Sequence, residues 1–393
     1  MKLLRKVIFW CHLFTGVCAG IVVLVMSVTG VLLAYERQLT AWADQSGYPA
    51  APHSPAATRL PVETLLARAR QTRPSAAPSA FTLRADPSAP AEVAFGREST
   101  VFLNPYTGEV LGEGSKRARA FFRTVTDWHR WLGAQGDNRA AARAVTGACN
   151  LGFLFLVSSG FYLWWPRNWT RRQLRSVTWF RRGLRGRSRD FNWHNVVGFW
   201  CCVPLFVVVL SAVVISYTWA SNLVYRLAGE APPAPAQRPA PAPPANNALD
   251  GLDRLWALAE QQVAGWQSIN AQLPASAEAP VTFAIDQGNG GQPQKRGQLT
   301  LDRAGEVVRW EPFSSYTLGR RLRSLLRFAH TGEVAGVFGQ TVAALASAGG
   351  AALVITGLAL AWRRLRAWAA RRAGGVALSP QPGADTLSGA TGD

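Results

Sequence analysis

The sequence contains few charged residues and few cysteines. Charged residues form 17% of the 393 residues, against ~25% in typical soluble domains, which argues against an ordinary cytosolic enzyme. All five cysteines lie in or beside long apolar runs, and the connecting segments have none. The sequence therefore predicts no disulfide framework, and we expect the cysteines to pack as small apolar side chains.

Several common binding and catalytic motifs are also absent. The sequence has no P-loop and no G-x-G-x-x-G, so nothing in it indicates that this chain binds ATP, NAD or FAD. It has no G-x-S-x-G of a serine hydrolase. The absence of C-x-x-C-H excludes a covalently attached c-type haem.

Four long runs contain no Asp, Glu, Lys or Arg. Each exceeds the ~20 residues that cross a bilayer core as a helix, and backbone in lipid must satisfy its own hydrogen bonds. The sequence therefore predicts four transmembrane helices, at residues 7–35, 144–166, 191–225 and 334–362. The first run could instead be a cleaved signal peptide, but its 29 residues exceed the ~7–15 of a signal-peptide core.

The basic residues predict how these helices are oriented. Three segments, 1–6, 167–190 and 363–393, together hold 17 basic and 3 acidic residues, out of a net charge of +19 for the whole chain. Because such segments stay on the cytoplasmic side, we expect both termini in the cytoplasm and the Arg-rich loop against anionic lipid. Topology explains the basic excess, so no nucleic-acid partner is expected.

The chain repeats itself. His12 opens the first run in the pattern H-x-x-x-G, and His194 opens the third in the same way. The second and fourth runs each carry a Ser/Thr-Gly pair near their ends, and both outer segments contain a glycine turn followed by Glu-Val. Residues 12–165 and 194–362 therefore form two predicted pseudo-repeats, and we expect a pseudo-twofold axis along the membrane normal.

Each outer segment is expected to fold as a small α+β unit with one helix and three strands. The expected elements are helix 62–73 with strands 81–84, 92–95 and 101–103, and helix 252–267 with strands 281–285, 298–301 and 307–310. Residues 231–246 hold seven prolines and are predicted to form an extended linker. The tail after Gly374 is predicted to be disordered.

Four of the five histidines occupy equivalent positions. His12, His129, His194 and His330 each lie near the start of a predicted span, one or two positions after an aromatic residue, whereas His53 is expected at the surface. The predicted orientation places His12 and His194 at the inner side and the other two at the outer side. The pseudo-twofold would then pair His12 with His194, and His129 with His330.

Facing imidazoles in a helix bundle favour haem. An ionisable side chain at membrane depth is costly and is usually functional, and two neutral imidazoles can serve as axial ligands of a b-type haem. We therefore expect two haem b groups, one near each membrane face. The haem propionates would find bidentate partners among Arg5, Arg130, Arg139 and Arg327.

Two other interpretations of the histidines stay open. They could belong to an aromatic belt at the membrane interface. A pair could instead hold a single metal ion, but such a site needs further ligands, for which Cys11 and Cys18 are the only candidates.

Five motifs follow one another along the chain: NPYTGEVLG, WHRWLG, SGFYLWWPR, WHNVVG and HTGEVAG. Together they resemble the PepSY-associated transmembrane helix family, over residues 12–364. The resemblance implies PepSY-like periplasmic units and a location in the bacterial inner membrane. The expected segments are 1–36 (first span), 37–116 (first unit), 117–166 (amphipathic segment and second span), 167–190 (basic loop), 191–225 (third span), 226–248 (linker), 249–316 (second unit), 317–363 (amphipathic segment and fourth span) and 364–393 (tail).

The resemblance also implies a function, because several members of the family are ferric-siderophore reductases with two haems. Electrons from a quinol or a cytoplasmic reductase would reach a periplasmic ferric siderophore, and Fe(II) would be released for uptake. No catalytic residue is identified, and partner proteins in the membrane or the periplasm are expected. By motif, the role of axial iron ligand falls to His12, His129, His194 and His330.

Substrate contacts are expected next to the outer pair, from Trp128, Arg130 and Trp131. The sequence GAQGDN after His129 interrupts the predicted helix, so we expect His129 on a short interfacial helix. Two alternative functions stay open: a PepSY-based binding or regulatory membrane protein without redox activity, and a permease for iron complexes. Four spans without a charged midplane residue would make a poor path for a permease.

Overall fold

The computed structural model describes residues 2–48, 57–96, 99–165, 170–234, 249–274 and 278–376, together with Ala50, Pro52, Ser54 and Ser276. His53, most of the predicted proline-rich linker and nearly all of the predicted disordered tail lie outside the described residues.

Helices make up most of the described chain. They are α1 (Lys2–Leu33), α2 (Glu36–Gly47), α3 (Val62–Thr72), α4 (Lys116–Trp131), α5 (Asn138–Trp164), α6 (Arg171–Thr178), α7 (Gly186–Ser216), α8 (Thr218–Leu227), α9 (Leu252–Gln262), α10 (Leu318–Thr331) and α11 (Gly336–Val376).

Four of these helices are long and apolar enough to cross a membrane, which confirms the predicted number. The candidate spans are Leu3–Leu33, Asn138–Trp164, Gly186–Ser216 and Glu333–Arg372. The third span is shorter than predicted, because Tyr217 adopts an extended backbone and a new helix, α8, begins after it. Arg143 Nη2 donates to the carbonyl oxygen of Ser216 at 3.2 Å, which satisfies one of the free carbonyl groups at this end.

The four spans form one bundle in which α1 and α7 alternate with α5 and α11. α1 packs against α5 and α11, and α7 packs against the same two helices. The first predicted repeat contributes α1 and α5, and the second contributes α7 and α11. The contacts between α1 and α5 and between α7 and α11 are those that bring the inner histidines to their hydrogen-bond partners.

Two amphipathic helices, α4 and α10, lie at one end of the bundle. Ser115 caps α4 by accepting a hydrogen bond from the N–H of Ala118, and the helix ends where Leu132 and Gly133 take positive φ angles of 52° and 77°. α5 begins only at Asn138. The break that the sequence GAQGDN predicts is therefore present, and His129 lies on a separate helix of 16 residues.

A single antiparallel sheet of eight strands is attached to this end of the bundle. The strands are β1 (Ala80–Arg84), β2 (Ala91–Phe95), β3 (Ser99–Leu103), β4 (Val110–Gly112), β5 (Ser268–Gln272), β6 (Val281–Asp286), β7 (Arg296–Leu301) and β8 (Val307–Pro312). Their order is β4-β3-β2-β1-β5-β6-β7-β8. Side chains alternate between buried and partly exposed along β1, β2 and β6, and the buried face forms a core with α3 and α9.

Each half contributes one helix and four strands, and the two halves share this one sheet. β1 pairs with β5 along its whole length, with Phe81 opposite Ala271. Two separate units would each leave a strand edge with unpaired N–H and C=O groups, and the pairing satisfies both edges. Two strands were not among the predicted elements: β4, and β5, which begins one residue after the end of the predicted helix 252–267. That helix itself ends earlier than predicted, at Gln262.

The helices on the sheet cap each other reciprocally. The N–H of Glu63 donates to Asp253 Oδ1 at 3.1 Å, and the N–H of Asp253 donates to Glu63 Oε1 at 3.2 Å. Each acid is the second residue of its helix, where a carboxylate also interacts favourably with the helix dipole. The two halves of the sheet region are therefore joined by equivalent contacts in both directions.

Candidate functional site

Each of the four predicted site histidines forms a hydrogen bond through Nδ1 to another helix of the bundle. His12 Nδ1 lies 2.8 Å from Ser159 Oγ, His129 Nδ1 lies 2.9 Å from Thr29 Oγ1, His194 Nδ1 lies 3.0 Å from Thr356 Oγ1, and His330 Nδ1 lies 3.0 Å from the carbonyl oxygen of Val208.

These contacts favour one tautomer of each imidazole. Ser159, Thr29 and Thr356 donate their hydroxyl protons to carbonyl groups one turn earlier, at 2.6, 2.6 and 2.7 Å. Each hydroxyl therefore accepts from the imidazole, and the Val208 carbonyl can only accept. A proton on Nδ1 satisfies all four contacts, and it leaves the lone pair of Nε2 available to a metal.

The structure brings the outer pair of histidines together. The ring centroids of His129 and His330 are 6.2 Å apart, and the ring planes are inclined by 53°. Bonds from a metal to imidazole nitrogen are about 2 Å long, and a ring centroid lies about 1 Å behind that nitrogen, so two rings that share one metal have centroids about 6 Å apart. The observed separation fits a single iron between the two imidazoles.

The inner pair, His12 and His194, lies at the other end of the bundle. Each ring packs over a glycine that follows its hydroxyl partner: a Cβ at Gly160 would lie 3.3 Å from His12 Cε1, and a Cβ at Gly357 would lie 3.3 Å from His194 Cε1. Because these glycines have no side chain, each imidazole has room to pack against the neighbouring helix.

The motif HTGEVAG forms a sharp corner directly after His330. α10 ends at Thr331 and is followed by Gly332, which has a φ of 76°, and α11 begins at Gly336, which has a φ of 65°. Both positions favour glycine because other residues rarely adopt positive φ. Between them, the buried Glu333 accepts hydrogen bonds from Arg37 Nη1 at 3.0 Å and from Thr331 Oγ1 at 2.9 Å. The corner is thereby attached to the chain that follows the first span.

A second carboxyl group lies beside this ion pair. Glu36 is half-buried, and burial followed by the negative charge of Glu333 raises its pKa. The loop before β7 also reaches the corner, because a Cβ at Gly290 would overlap the Arg37 guanidinium and a Cβ at Gly291 would overlap Glu333. The sheet therefore rests on the bundle three residues after His330.

The three residues predicted to contact substrate lie at the end of α4. Trp128 is exposed and packs near Gly133. The guanidinium of Arg130 lies 4.8 Å from the ring centroid of Trp131, and that of Arg139 lies 4.5 Å from it. Trp131 is therefore already engaged by two cations, and Trp128 presents the more open aromatic surface.

The alternative of a single metal ion finds no additional ligands. In the described part of the chain, no three His, Cys, Asp or Glu side chains come together as a metal site. Cys11 and Cys18 are exposed free cysteines on α1.

The residues that orient the imidazoles were not predicted from the sequence. The first span also carries a Ser/Thr–small pair, Thr29-Gly30. In the structure Thr29 bonds His129 rather than His12, the histidine of its own helix. The equivalent residue in the third span, Ser211, donates to the Val208 carbonyl at 2.8 Å, the same oxygen that His330 uses. The repeated pairs were the signal that marks these positions.

Comparison with known proteins agrees with the motifs. A search of curated protein sequences finds no match to the chain. Residues 9–364 match the family described as the PepSY-associated TM region. This match covers most of the 393 residues and includes most of each of the four spans, both halves of the sheet and the four bonded histidines. The protein is therefore a membrane protein that belongs to the PepSY-associated TM region family.

Proposed function

We propose that the protein is an inner-membrane redox protein that holds two b-type haems and reduces ferric siderophores at the periplasmic face. The single observation that carries the proposal is the common state of the four imidazoles, each bonded through Nδ1 and each with a free Nε2 lone pair. His12 with His194 would hold one haem, and His129 with His330 would hold the other.

The helix hydroxyls prepare these ligands. By accepting the Nδ1 proton, Ser159, Thr29 and Thr356 fix both the tautomer and the plane of each ring, and such outer contacts raise the basicity of the ligating nitrogen. The Val208 carbonyl does the same for His330. Four rings held in one protonation state would be unusual for an aromatic belt, in which histidine tips face water.

The two pairs lie near opposite ends of the spans. His12 and Thr29 are both on α1, 17 residues apart, which corresponds to about 25 Å along a helix in a hydrocarbon core about 30 Å thick. Bound haem would supply one-electron redox chemistry at each of these levels. The sheet then lies on the side of His129 and His330, which the basic segments predict to be periplasmic.

The choice of substrate rests on the resemblance to ferric-siderophore reductases. Ferric iron prefers hard oxygen ligands, and reduction to Fe(II) weakens them, so iron is released for import. Trp128 is open to a docking chelate next to the outer pair. The electron donor, a quinol or a cytoplasmic reductase, would act near His12 and His194.

Absorption spectroscopy of the purified protein tests the proposal. We expect a Soret band, sharp α and β bands on reduction, and about two haems per chain by the pyridine haemochrome assay. The reduced protein should be reoxidised by a ferric siderophore, with Fe(II) trapped by a ferrous chelator. A pure, folded protein without haem would overturn the proposal and favour a binding or regulatory protein, in which the histidines are dispensable.

A further inference from the structure

An aromatic stack lies at the inner end of the bundle, between α5 and α7. Trp164, the last residue of α5, stacks on Phe199 of α7, with ring centroids 4.6 Å apart and ring planes inclined by 22°. The ring of Phe161, three residues earlier on α5, lies 6.2 Å from that of Trp164 and is inclined to it by 12°. Three nearly parallel rings therefore line the contact between these two helices.

The stack lies beside the inner histidine pair. Trp164 follows Gly160, the glycine over which His12 packs, by four residues on α5. Phe199 follows His194 by five residues on α7. Because a helix rises about 1.5 Å per residue, these two rings lie about 6–8 Å further along the helices than Gly160 and His194. A redox molecule bound against the stack would therefore be close to the inner pair.

The stack occurs in only one of the two repeats. The inner histidine, its hydroxyl partner and the glycine that follows this partner have equivalents in both halves of the chain. The positions equivalent to the three stacked rings hold aliphatic residues instead, namely Leu358, Ala361 and Val17. An arrangement that only supported the imidazoles would be expected on both sides of the pseudo-twofold. The stack therefore has a role of its own.

The indole N–H of Trp164 is a hydrogen-bond donor without an acceptor. In the part of the chain that the structure describes, three side-chain nitrogen or oxygen atoms are buried without a partner: Trp164 Nε1 is one of them, and the other two lie outside the spans. The nearby Trp200, by contrast, donates its Nε1 to the carbonyl oxygen of Thr178 at 3.0 Å. A buried indole N–H usually finds a partner, and an unpaired one is costly in a low dielectric. Trp164 can therefore bond an acceptor that the chain itself does not supply.

The surface around the stack faces lipid. Phe161 is 42% exposed and Trp165 is 47% exposed, at the end of a helix that is apolar enough to cross the membrane. The Trp164 ring is itself partly exposed, so a molecule dissolved in the bilayer can reach its edge. A quinol head group matches this surface, because its flat ring can stack on the aromatic side chains and its oxygens can accept the indole hydrogen bond. A water-soluble reductase would not enter the bilayer at this point.

We propose that Trp164 and Phe199 bind the head group of a membrane quinol, which supplies electrons to the haem held by His12 and His194. The inference rests on the proposed function and deepens it, because it selects one of the two classes of electron donor. The quinol becomes a quinone: its two O–H bonds break, its two protons pass to water on the cytoplasmic side, and its two electrons pass one at a time to ferric iron at the inner pair. One quinol would thus reduce two ferric siderophores.

Photolabelling of the full-length protein in nanodiscs with an azido-benzoquinone tests the proposal, with decylubiquinone as the competitor. We expect the label on peptides of α5 or α7 and its displacement by decylubiquinone. In Trp164→Phe, which keeps an aromatic ring but lacks the N–H, decylubiquinone should bind about threefold to tenfold more weakly, the effect of losing one neutral hydrogen bond. Trp362→Phe is the matched control, because it makes the same change at the inner end of the fourth span, and it should bind decylubiquinone as the unmodified protein does.

A second variant and a kinetic measurement test the stacking contact. Phe199→Leu keeps an apolar side chain but removes the aromatic face, so it should also weaken the binding of decylubiquinone. When decylubiquinol reduces the haem-loaded protein, Trp164→Phe and Phe199→Leu should both raise the quinol concentration needed for half the maximal rate. The maximal rate should stay nearly unchanged, because neither substitution alters the imidazoles.

The outcomes separate this inference from the proposed function. Absence of haem from the unmodified protein would refute the proposed function, whereas the photolabelling reports on the quinone site with or without haem. Labelling elsewhere in the chain, or equal affinities of the unmodified protein and Trp164→Phe for decylubiquinone, would overturn the quinol site even if both haems are present. Faster haem loss from Trp164→Phe at unchanged decylubiquinone affinity would show that the indole N–H bonds the cofactor, and the inference would be wrong.

Discussion

Glu333 accepts a hydrogen bond from Arg37 at 3.0 Å, and this ion pair joins the chain after the first span to the corner that follows His330. The Glu333 side chain is 10% exposed, whereas that of Arg37 is 43% exposed, so the carboxylate is the buried partner. The glycine loop of the sheet packs on both side chains. One contact therefore links the sheet, the first repeat and the outer histidine of the second repeat.

Removing the Arg37 guanidinium should leave the buried carboxylate of Glu333 without its positively charged partner. We expect Arg37→Met to lower the free energy of unfolding by about 1–3 kcal/mol, the range for an unsatisfied buried polar group. The measurement is the thermal unfolding of the protein in detergent. Arg309→Met is the matched control, because the Arg309–Glu311 pair lies at the edge of the sheet with Arg309 64% exposed, and such pairs contribute about 0–1 kcal/mol. Equal effects of the two substitutions would contradict this role.

The hydroxyl contacts of the histidines can be tested with two adjacent serines. Ser159 accepts from His12, whereas the exposed Ser158 bonds only to the carbonyl of Leu154 in its own helix. We expect Ser159→Ala to weaken haem binding at the inner site by about 10–100-fold, the range for the loss of an outer contact to a ligating histidine. Ser158→Ala should change nothing. Similar haem release from both variants would show that the hydroxyl does not orient the ligand.

The hydrogen bonds between Glu230 and the start of α10 should stabilise the protein less at low pH. Glu230 accepts from the N–H of Gly319 at 3.0 Å and from Thr317 Oγ1 at 2.7 Å, and these hydrogen bonds lower its pKa. A lowered pKa in the folded state means that the stabilisation is complete above about pH 4.3, the ordinary value for glutamate. It is lost as the pH falls through the lowered pKa.

Glu230→Gln should therefore melt at a lower temperature than the unmodified protein at pH 7, and the difference should disappear as the pH falls below about 4. Tryptophan fluorescence during heating measures it. Glu306→Gln, in an exposed residue of a turn, is the control and should show no such convergence. A difference between Glu230→Gln and the unmodified protein that does not change with pH would contradict the assignment.

The spans were predictable because their signal is physical and strong. A run without charge that is longer than the hydrocarbon core has few alternatives to a transmembrane helix. The strands with alternating burial, such as β2 and β6, were also found within one or two residues. The end of the third span was not, because the turn at Tyr217 depends on tertiary contacts with α5 rather than on a change in hydrophobicity.

The pairing that joins the two halves of the sheet could not be predicted from the sequence for a similar reason. β5 is short and half polar, and its partner β1 lies almost 190 residues earlier in the chain. Local pattern cannot identify such a pairing, because it depends on two edges that meet only in the folded state. At the site, the histidines were visible from sequence, but their Nδ1 partners were not: three of the four sit on a helix more than 100 residues away from the histidine.

Haem stoichiometry in a single variant shows whether His129 and His330 would hold one haem between them. The pyridine haemochrome assay should give about two haems per chain for the unmodified protein and for the control His53→Ala. His330→Ala should give about one, and adding His129→Ala to it should cause no further loss. Two haems in His330→Ala, or none, would contradict a site formed by this pair alone.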